Sequence, residues 1–319
     1  MTESKPTVSV IIPTYNRAGM VGAAIESLLA QTRRPAQIIV VDDGSTDDTP
    51  DVLARYSGGI TAIYQENRGR SAARNMGLLH AASDYVAFLD SDDTLPQESI
   101  ALRADVLDSS PNVDIVYGDA WLEDSVSKKR ICYSDLHRGE HPSGFVFPSL
   151  AQGALAPIHC FMFRRACLDK LDRFDVTLDT LEDHDFWLRL CTHTTFAYLD
   201  VPIATYIVHP GMTTLTMRDK MREGRLIVQK RAVEMPEFGS LTVKQEAAVY
   251  VSIGSTCLAL RRTDEAREWL RTANQTSSSP GGALLYALSF LGARGIKPVL
   301  ALRRKLRALL QPETRMFYG

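Results

Sequence analysis

Cysteine is scarce and unpatterned in this sequence. Its five residues (Cys132, Cys160, Cys167, Cys191 and Cys257) are odd in number, and no two form a CxxC pair. That excludes a zinc ribbon and a disulfide framework, and it points to a reducing compartment such as the cytoplasm. Long apolar runs are missing too. The nearest, Ala283 to Ala293, falls short of the ~20 residues that span a bilayer. Met1 to Thr7 is polar and leads straight into an apolar run, which argues against a signal peptide. No charge surplus exists: 36 Lys and Arg against 38 Asp and Glu leave a net charge of -2, so no nucleic acid partner is expected. Nor does a GxGxxG follow the first apolar run, which removes a dinucleotide-dependent dehydrogenase.

What is present is ample core material. A hydrophobic fraction of 45% over 319 residues suits about two domains or one large one. The first hundred residues alternate predicted strands (Val8–Ile12, Ile38–Val41, Thr61–Tyr64, Tyr85–Leu89) with predicted helices (Met20–Leu29, Asp48–Tyr56, Ser71–Ala81, Pro96–Leu107). Continuous apolar strands in such alternation imply an α/β fold, a mostly parallel sheet with helices on both faces. Ligands of such sheets lie at the carboxyl ends of the strands. Polar clusters stand at three of those ends: Pro13-Thr14-Tyr15-Asn16-Arg17, Asp42-Asp43-Gly44-Ser45-Thr46-Asp47, and Asp90-Ser91-Asp92-Asp93.

The last cluster is the most telling. Three carboxylates after a buried strand are costly unless something neutralises them. A divalent cation shared with a substrate phosphate does so, and hard carboxylate oxygens suit Mg²⁺ or Mn²⁺. The competing reading is a helix N-cap run, since Thr94 to Glu98 looks like a helix start, and Asp93 fits that cap.

Beyond Asp114 the sequence predicts a strand at Ile115–Tyr117, a hairpin over Trp121–Tyr133, a loop from Leu136 to Pro157, and a strand at His159–Phe163. An acidic helix start follows at Glu182-Asp183-His184-Asp185, then a strand region from Ala197 to His209. After Thr216 the chain reads as helical. Thr242-Val243-Lys244-Gln245 is a capping box. With the next helix, which sets Ala266, Trp269, Leu270 and Ala273 on one face, it resembles one tetratricopeptide-type hairpin. Thr276 to Gly282 reads as a turn. Ile296 to Leu310 is a basic amphipathic segment, suited to packing on its own domain or to peripheral membrane or partner contact.

Pro13-Thr14-Tyr15-Asn16, Val41 to Asp47, Glu66-Asn67-Arg68-Gly69 with Ala72 to Gly77, Phe88 to Asp93 and Glu182 to Trp187 together resemble the inverting family 2 glycosyltransferases, over about residues 5–215. The resemblance implies a GT-A type, Rossmann-like fold over 1–215, with a nucleotide-sugar half (1–113) and an acceptor half (114–215), ahead of a C-terminal helical region (216–319). It implies a UDP- or dTDP-linked sugar donor, Mn²⁺ or Mg²⁺ as cofactor, and a glycan or glycolipid acceptor of cell-envelope polysaccharide synthesis, worked on in the cytoplasm or at the inner membrane face. Under it, Asp92 matches the metal-binding carboxylate of the DxD motif, with Asp90 its first member and Ser91 between them. Asp43 matches the residue that binds the base edge, and Pro13, Thr14 and Tyr15 the loop around base and ribose. Arg70 matches a basic residue near the nucleotide, His209 a second metal ligand, and Asp183 the general base. Relatives often carry arginine at Ile207 and a glycine pair at Asp172-Arg173, so this chain departs from the pattern there.

Each residue has a plainer role beside this one. Asp43 also fits a turn cap at Gly44-Ser45, His209 a turn before Pro210-Gly211, and Glu182 and Asp185 favourable charge at a helix N-terminus. Arg70 and Arg74 share a helix face, and Arg74 equally suits pairing with a buried carboxylate. Two other functions use similar parts. A sugar nucleotidyltransferase would carry a Gly-rich basic loop after the first strand, which Pro13 to Arg17 is not. A non-catalytic carbohydrate-binding protein on this fold would be expected to lack Asp92 or Asp183, and both are present.

Overall fold

The computed structural model describes residues 5–136, 141–170, 173–212 and 216–291. The predicted amphipathic segment Ile296–Leu310 lies outside them. The first element is β1 (Val8–Thr14), buried along its whole length, followed by α1 (Val21–Leu29). Next come β2 (Gln37–Asp42), α2 (Thr49–Ala54), β3 (Thr61–Tyr64), α3 (Arg70–His80), β4 (Tyr85–Phe88) and α4 (Ser99–Ser109). Val10, Ile11, Ile12, Ile39, Val40, Val41, Val86 and Ala87 are fully buried, as runs without alternation require when helices cover both faces of a sheet. Each large aliphatic side chain among them contributes roughly 1.5–3 kcal/mol by burial.

The strands lie in the order β3-β2-β1-β4, all parallel. The chain therefore leaves β1 toward β2 and β3, then returns to β1's other edge as β4. The crevice at the carboxyl ends of β1 and β4 is the topological switch point, where open α/β sheets bind ligands.

The sheet continues past β4 through antiparallel neighbours. After β5 (Ile115–Asp124), β6 (Arg130–Cys132), α5 (Tyr133–Leu136) and α6 (Phe147–Gln152) comes β7 (Phe161–Arg164). Strand β7 lies antiparallel between β4 and the first residues of β5, and β6 pairs antiparallel with the later part of β5. Helix α7 (Glu182–Leu190) leads to β8 (Phe196–Val208), which runs parallel to β5. Strands β4, β5 and β8 thus share one direction, and β8 ends at the same edge as β4. The expected short strand at Ile115–Tyr117 is ten residues long, and the expected hairpin is its far end with β6. The expected loop Leu136–Pro157 contains α6.

The chain divides into two compact units. The first comprises 1–146, 155–178 and 185–209, and holds the whole sheet. The second comprises 147–154, 179–184 and 210–319. Its helices are α8 (Arg218–Glu234), α9 (Val243–Ala259), α10 (Thr263–Thr276) and α11 (Pro280–Ser289). The Thr242 capping box opens α9. Helices α9 and α10 approach closely at Gly254, where a Cβ would sit 2.5 Å from Leu270 Cγ. Ser279 caps α11 and Pro280 starts it, so a helix begins inside the predicted turn tract. Among the described residues, no helix is long and apolar enough to cross a membrane.

Candidate active site

The loop after β1 is laced to the loop after β2. Asn16 takes the left-handed conformation (φ 51°), which asparagine tolerates. Its N–H donates to Ser45 Oγ (2.8 Å), and its Oδ1 accepts from Thr46 N–H (2.8 Å). Arg17 N–H donates to Thr49 Oγ1 (2.9 Å), and Ala18 N–H to Asp47 Oδ2 (3.1 Å). This holds Tyr15 at the surface, 45% exposed, above buried Pro13 and Thr14. Thr14 Oγ1 is buried with no partner among the described residues, an unmet hydroxyl at the crevice.

Asp42 and Asp43 divide their work. Asp42 Oδ1 accepts from Ser45 N–H (2.9 Å) and holds the turn. Asp43 reaches the segment between β3 and α3 instead. Its Oδ1 accepts from Gln65 Nε2 (2.7 Å) and Arg68 N–H (2.9 Å), its Oδ2 from Gly69 N–H (2.8 Å). A carboxylate offers about four acceptor positions, so these bonds leave one for a ligand. Gly44 permits the approach: its φ is 77°, and a Cβ there would lie 2.9 Å from Asn67 N. Arg70 opens α3 directly after this loop.

The acidic segment after β4 sends its three carboxylates to three places. Asp90 Oδ1 accepts from Arg74 Nη2 (2.8 Å), whose guanidinium is 2% exposed and lies over the Phe174 ring. Burial pushes the Asp90 carboxyl up, but Arg74, with His159 and Arg70, outweighs it and holds the group below its ordinary value. Ser91 is buried. Asp92 Oδ2 lies 3.2 Å from His209 Nε2, just past β8, and 3.4 Å from Arg17 Nη2. Asp93 is not a helix cap. Helix α4 starts at Ser99 without a side-chain cap, and Asp93 Oδ1 accepts from Ile207 N–H at 2.7 Å instead. Its Oδ2 meets His159 Nδ1 at 3.2 Å, in ion-pair contact but off the line of an ideal hydrogen bond. Burial raises the Asp93 carboxyl against the pull of His159. For His159, burial alone would lower the imidazole, and Asp93 more than reverses it.

Among the described residues, two groups of side chains have the chemistry to hold a divalent ion. Asp92 and His209 offer a carboxylate oxygen and an imidazole nitrogen 3.2 Å apart. Neighbouring ligands on an octahedral ion, each at about 2.1 Å, stand about 3 Å apart, so this pair fits. Their side chains are 20% and 7% exposed, open enough for a substrate phosphate to share the ion. Asp90, Asp93 and His159 also bring one ligand atom each within 4.8 Å of one another. One Asp90 oxygen pairs with Arg74 and one Asp93 oxygen with the Ile207 N–H, and although Asp90 is 27% exposed, Asp93 and His159 are 1% and 0% exposed, closed to a substrate phosphate. The deep burial of Asp93 and His159 therefore favours Asp92 with His209 as a group that could share an ion with a substrate. Sequence reading missed His159, which stands in an apolar run with no ligand spacing around it.

Asp183 lies in the first turn of α7, in the second unit. Of the three carboxylates there, Glu182 and Asp185 are buried, and Asp185 Oδ2 accepts from Arg189 Nε (2.8 Å). Asp183 is half-buried, and its Oδ1 accepts from the His184 N–H (2.8 Å). The His184 ring nitrogen Nε2 lies 2.6 Å from the Leu150 carbonyl, anchoring the turn. Leu181, directly before it, is held at φ 61°, a conformation costly for leucine and typical of functional segments.

Residues 9–171, half of the chain, match the model of the family described as glycosyl transferase family 2. An uncharacterized glycosyltransferase of Rickettsia prowazekii is 31% identical over 224 residues, which cover 68% of this chain and 69% of that protein. Among solved structures, a mannosyltransferase from Pyrobaculum calidifontis, in complex with GDP-Man and Mn²⁺, is similar over 99% of this chain and 86% of its own, with a TM-score of 0.62 at 19% identity. Residues 1–349 of TarS from S. aureus, in complex with UDP-GlcNAc, give 0.58 at 20% identity over 90% of this chain and 87% of theirs. The chain spans about half, 52%, of the longer TarS structure. The protein belongs to the family 2 glycosyltransferases, and it has their GT-A type fold.

Proposed function

We propose that this glycosyltransferase moves a sugar from a nucleoside-diphosphate donor, UDP- or dTDP-linked, to a hydroxyl of a glycan or glycolipid, by a single metal-dependent displacement that inverts the anomeric centre. The observation that carries this reading is the meeting of Asp92 and His209 at the carboxyl ends of β4 and β8, beside the switch-point crevice. An ion held by that pair would offset the charge growing on the leaving diphosphate. The donors named for the two structural neighbours, UDP-GlcNAc and GDP-Man, support a nucleoside-diphosphate sugar as the class.

Within that reading the residues take distinct parts. Tyr15, Thr14 and Pro13 line the base and ribose. Asp43 accepts from the pyrimidine N3–H with its remaining acceptor position, which favours uracil or thymine over cytosine. Arg70 and Ser91 flank the diphosphate with Asp90. Asp183 takes the acceptor proton, and its exposure beside buried Glu182 and Asp185 supports it over both. Residues 114–215 form the acceptor half.

Thermal shift with a panel of UDP-, dTDP- and GDP-sugars, with and without Mn²⁺, tests the donor. A ligand at 100 times its dissociation constant stabilises by roughly 2.7 kcal/mol. A preference for GDP-sugars would overturn the pyrimidine reading, and equal stabilisation without metal would overturn the role of Asp92. NMR of the product decides inversion. Asp183→Asn should lower turnover by roughly 10²- to 10⁴-fold with donor affinity kept; full turnover would remove the base assignment.

A further inference from the structure

The end of β8 is held by backbone and side-chain contacts from the segment after β4. Thr94 and Thr205 exchange backbone hydrogen bonds of 3.1 and 2.8 Å. The Ser99 hydroxyl donates to the Ile203 carbonyl. Arg103, fully buried, donates to Ser99 Oγ (2.9 Å) and to the carbonyls of His159 (3.1 Å) and Phe161 (2.9 Å). Of the contacts made by that segment, the nearest to His209 is that of Asp93 Oδ1 with the Ile207 N–H, 2.7 Å across 114 residues of sequence; from the β5 side the Ser125 N–H donates to the Val208 carbonyl (3.0 Å). The other Asp93 oxygen faces His159, whose ring stacks on Tyr206 with centroids 5.6 Å apart and planes at 28°. One acid and one imidazole thus hold both Tyr206 and Ile207.

Packing alone gives no reason for this pair. An acid and an imidazole at 1% and 0% exposure are expensive to bury; the Ile207 N–H accounts for one Asp93 oxygen, but an apolar side chain at 159 would fill the space beside the other without burying an imidazole. Their position supplies the reason. Asp93 is bonded in sequence to Asp92, and its contact at Ile207 lies two residues before His209.

We propose that Asp93 and His159 are a positioning pair that fixes the end of β8 against the acidic segment, and so sets the approach of His209 Nε2 to Asp92 Oδ2. This rests on the reading of Asp92 and His209 as the metal-holding residues. Outer groups that orient metal ligands typically cost 10- to 100-fold in metal affinity when removed.

The experiment measures Mn²⁺ affinity by calorimetry on the full chain with saturating UDP, alongside thermal unfolding and histidine-ring ¹⁵N–¹H NMR. Asp93→Ala and His159→Phe should weaken Mn²⁺ binding roughly 10- to 100-fold in folded protein, whereas Asp93→Asn, which keeps an oxygen for the Ile207 N–H, should stay within about threefold of the parent. A purely structural role would lower the unfolding temperature with affinity intact, and that result overturns the proposal. So does an Asp93→Asn variant as impaired as Asp93→Ala, because charge rather than grip would then matter. Retained binding in Asp92→Ala with loss in Asp93→Asn would make the buried trio the metal site and overturn it as well. If Asp93→Ala fails to fold, His159→Phe and Asp93→Asn decide. If the parent binds no Mn²⁺, the metal reading itself fails, and the pair is judged by NMR. A displaced His209 resonance in His159→Phe but not in Asp93→Asn supports it; an unmoved one overturns it.

Discussion

His209 Nε2 stands 3.2 Å from Asp92 Oδ2, although 117 residues separate the two in sequence. The meeting is a product of topology, since β4 and β8 run in the same direction and end at the same sheet edge. If the two hold one ion, His209→Ala leaves a carboxylate alone and should weaken Mn²⁺ binding by roughly 10-fold or more, and Asp92→Ala should remove it. Titration of each variant with Mn²⁺ in the presence of UDP checks this. Parental affinity in His209→Ala would leave the imidazole as a turn residue.

Arg17 approaches the same Asp92 oxygen from the loop after β1, at 3.4 Å, with its side chain 30% exposed. A guanidinium there competes with a metal ion for one carboxylate. A partly exposed ion pair is worth up to about 1 kcal/mol, so Arg17→Ala should tighten binding of Mn²⁺ alone by up to roughly 5-fold. Weaker binding in the variant would mean that the arginine organises the carboxylate rather than competing for it.

The parts of this molecule that local chemistry determines were legible in sequence. The unbroken apolar runs of β1, β2 and β4 announced a covered parallel sheet, and Thr242 with Gln245 announced the start of α9. What stayed hidden depends on distant partners. Asp93 reads locally as a cap because nothing nearby reveals Ile207 or His159 as its partners. The length of β5 was masked by Asp119 and Glu123, polar residues inside the strand; Asp119 is engaged by the N–H and hydroxyl of Ser134, and Glu123 by Arg130. The start of α11 carried a readable signal, a Ser279 cap followed by Pro280, but the flanking Ser and Gly residues disguised it as a turn.

The Arg74–Asp90 pair should contribute to stability. Arg74 is 2% exposed, and its Nη2 lies 2.8 Å from Asp90 Oδ1. Arg74→Met strands a carboxylate that is 27% exposed and so partly hydrated, and it should cost about 2 kcal/mol in urea unfolding, between the surface and fully buried limits. Adding Asp90→Asn should recover part of that loss, because the stranded charge goes with it. A loss in Arg74→Met below about 1 kcal/mol, typical of surface pairs, would show that solvent already screens Asp90.

At the opposite edge of the sheet, Asp84 ties the start of β1 to the turn before β4. Its Oδ2 accepts from the Thr7 N–H (2.7 Å) and the Thr7 hydroxyl (3.0 Å). The Thr7 N–H and hydroxyl, with Arg165 nearby, hold the carboxyl below its ordinary value. A carboxyl with a lower pKa in the folded chain binds fewer protons there than in the unfolded chain. Its stabilisation is complete above the ordinary aspartate value of about 4 and is lost as pH falls through the lower folded value. Asp84→Asn removes this titration. Urea midpoints of the parent should therefore fall more steeply between about pH 5 and pH 3 than those of the variant, and the two should converge toward the acid end. Parallel curves over that range would mean that the Thr7 contacts hold the neutral carboxyl as well as the charged one.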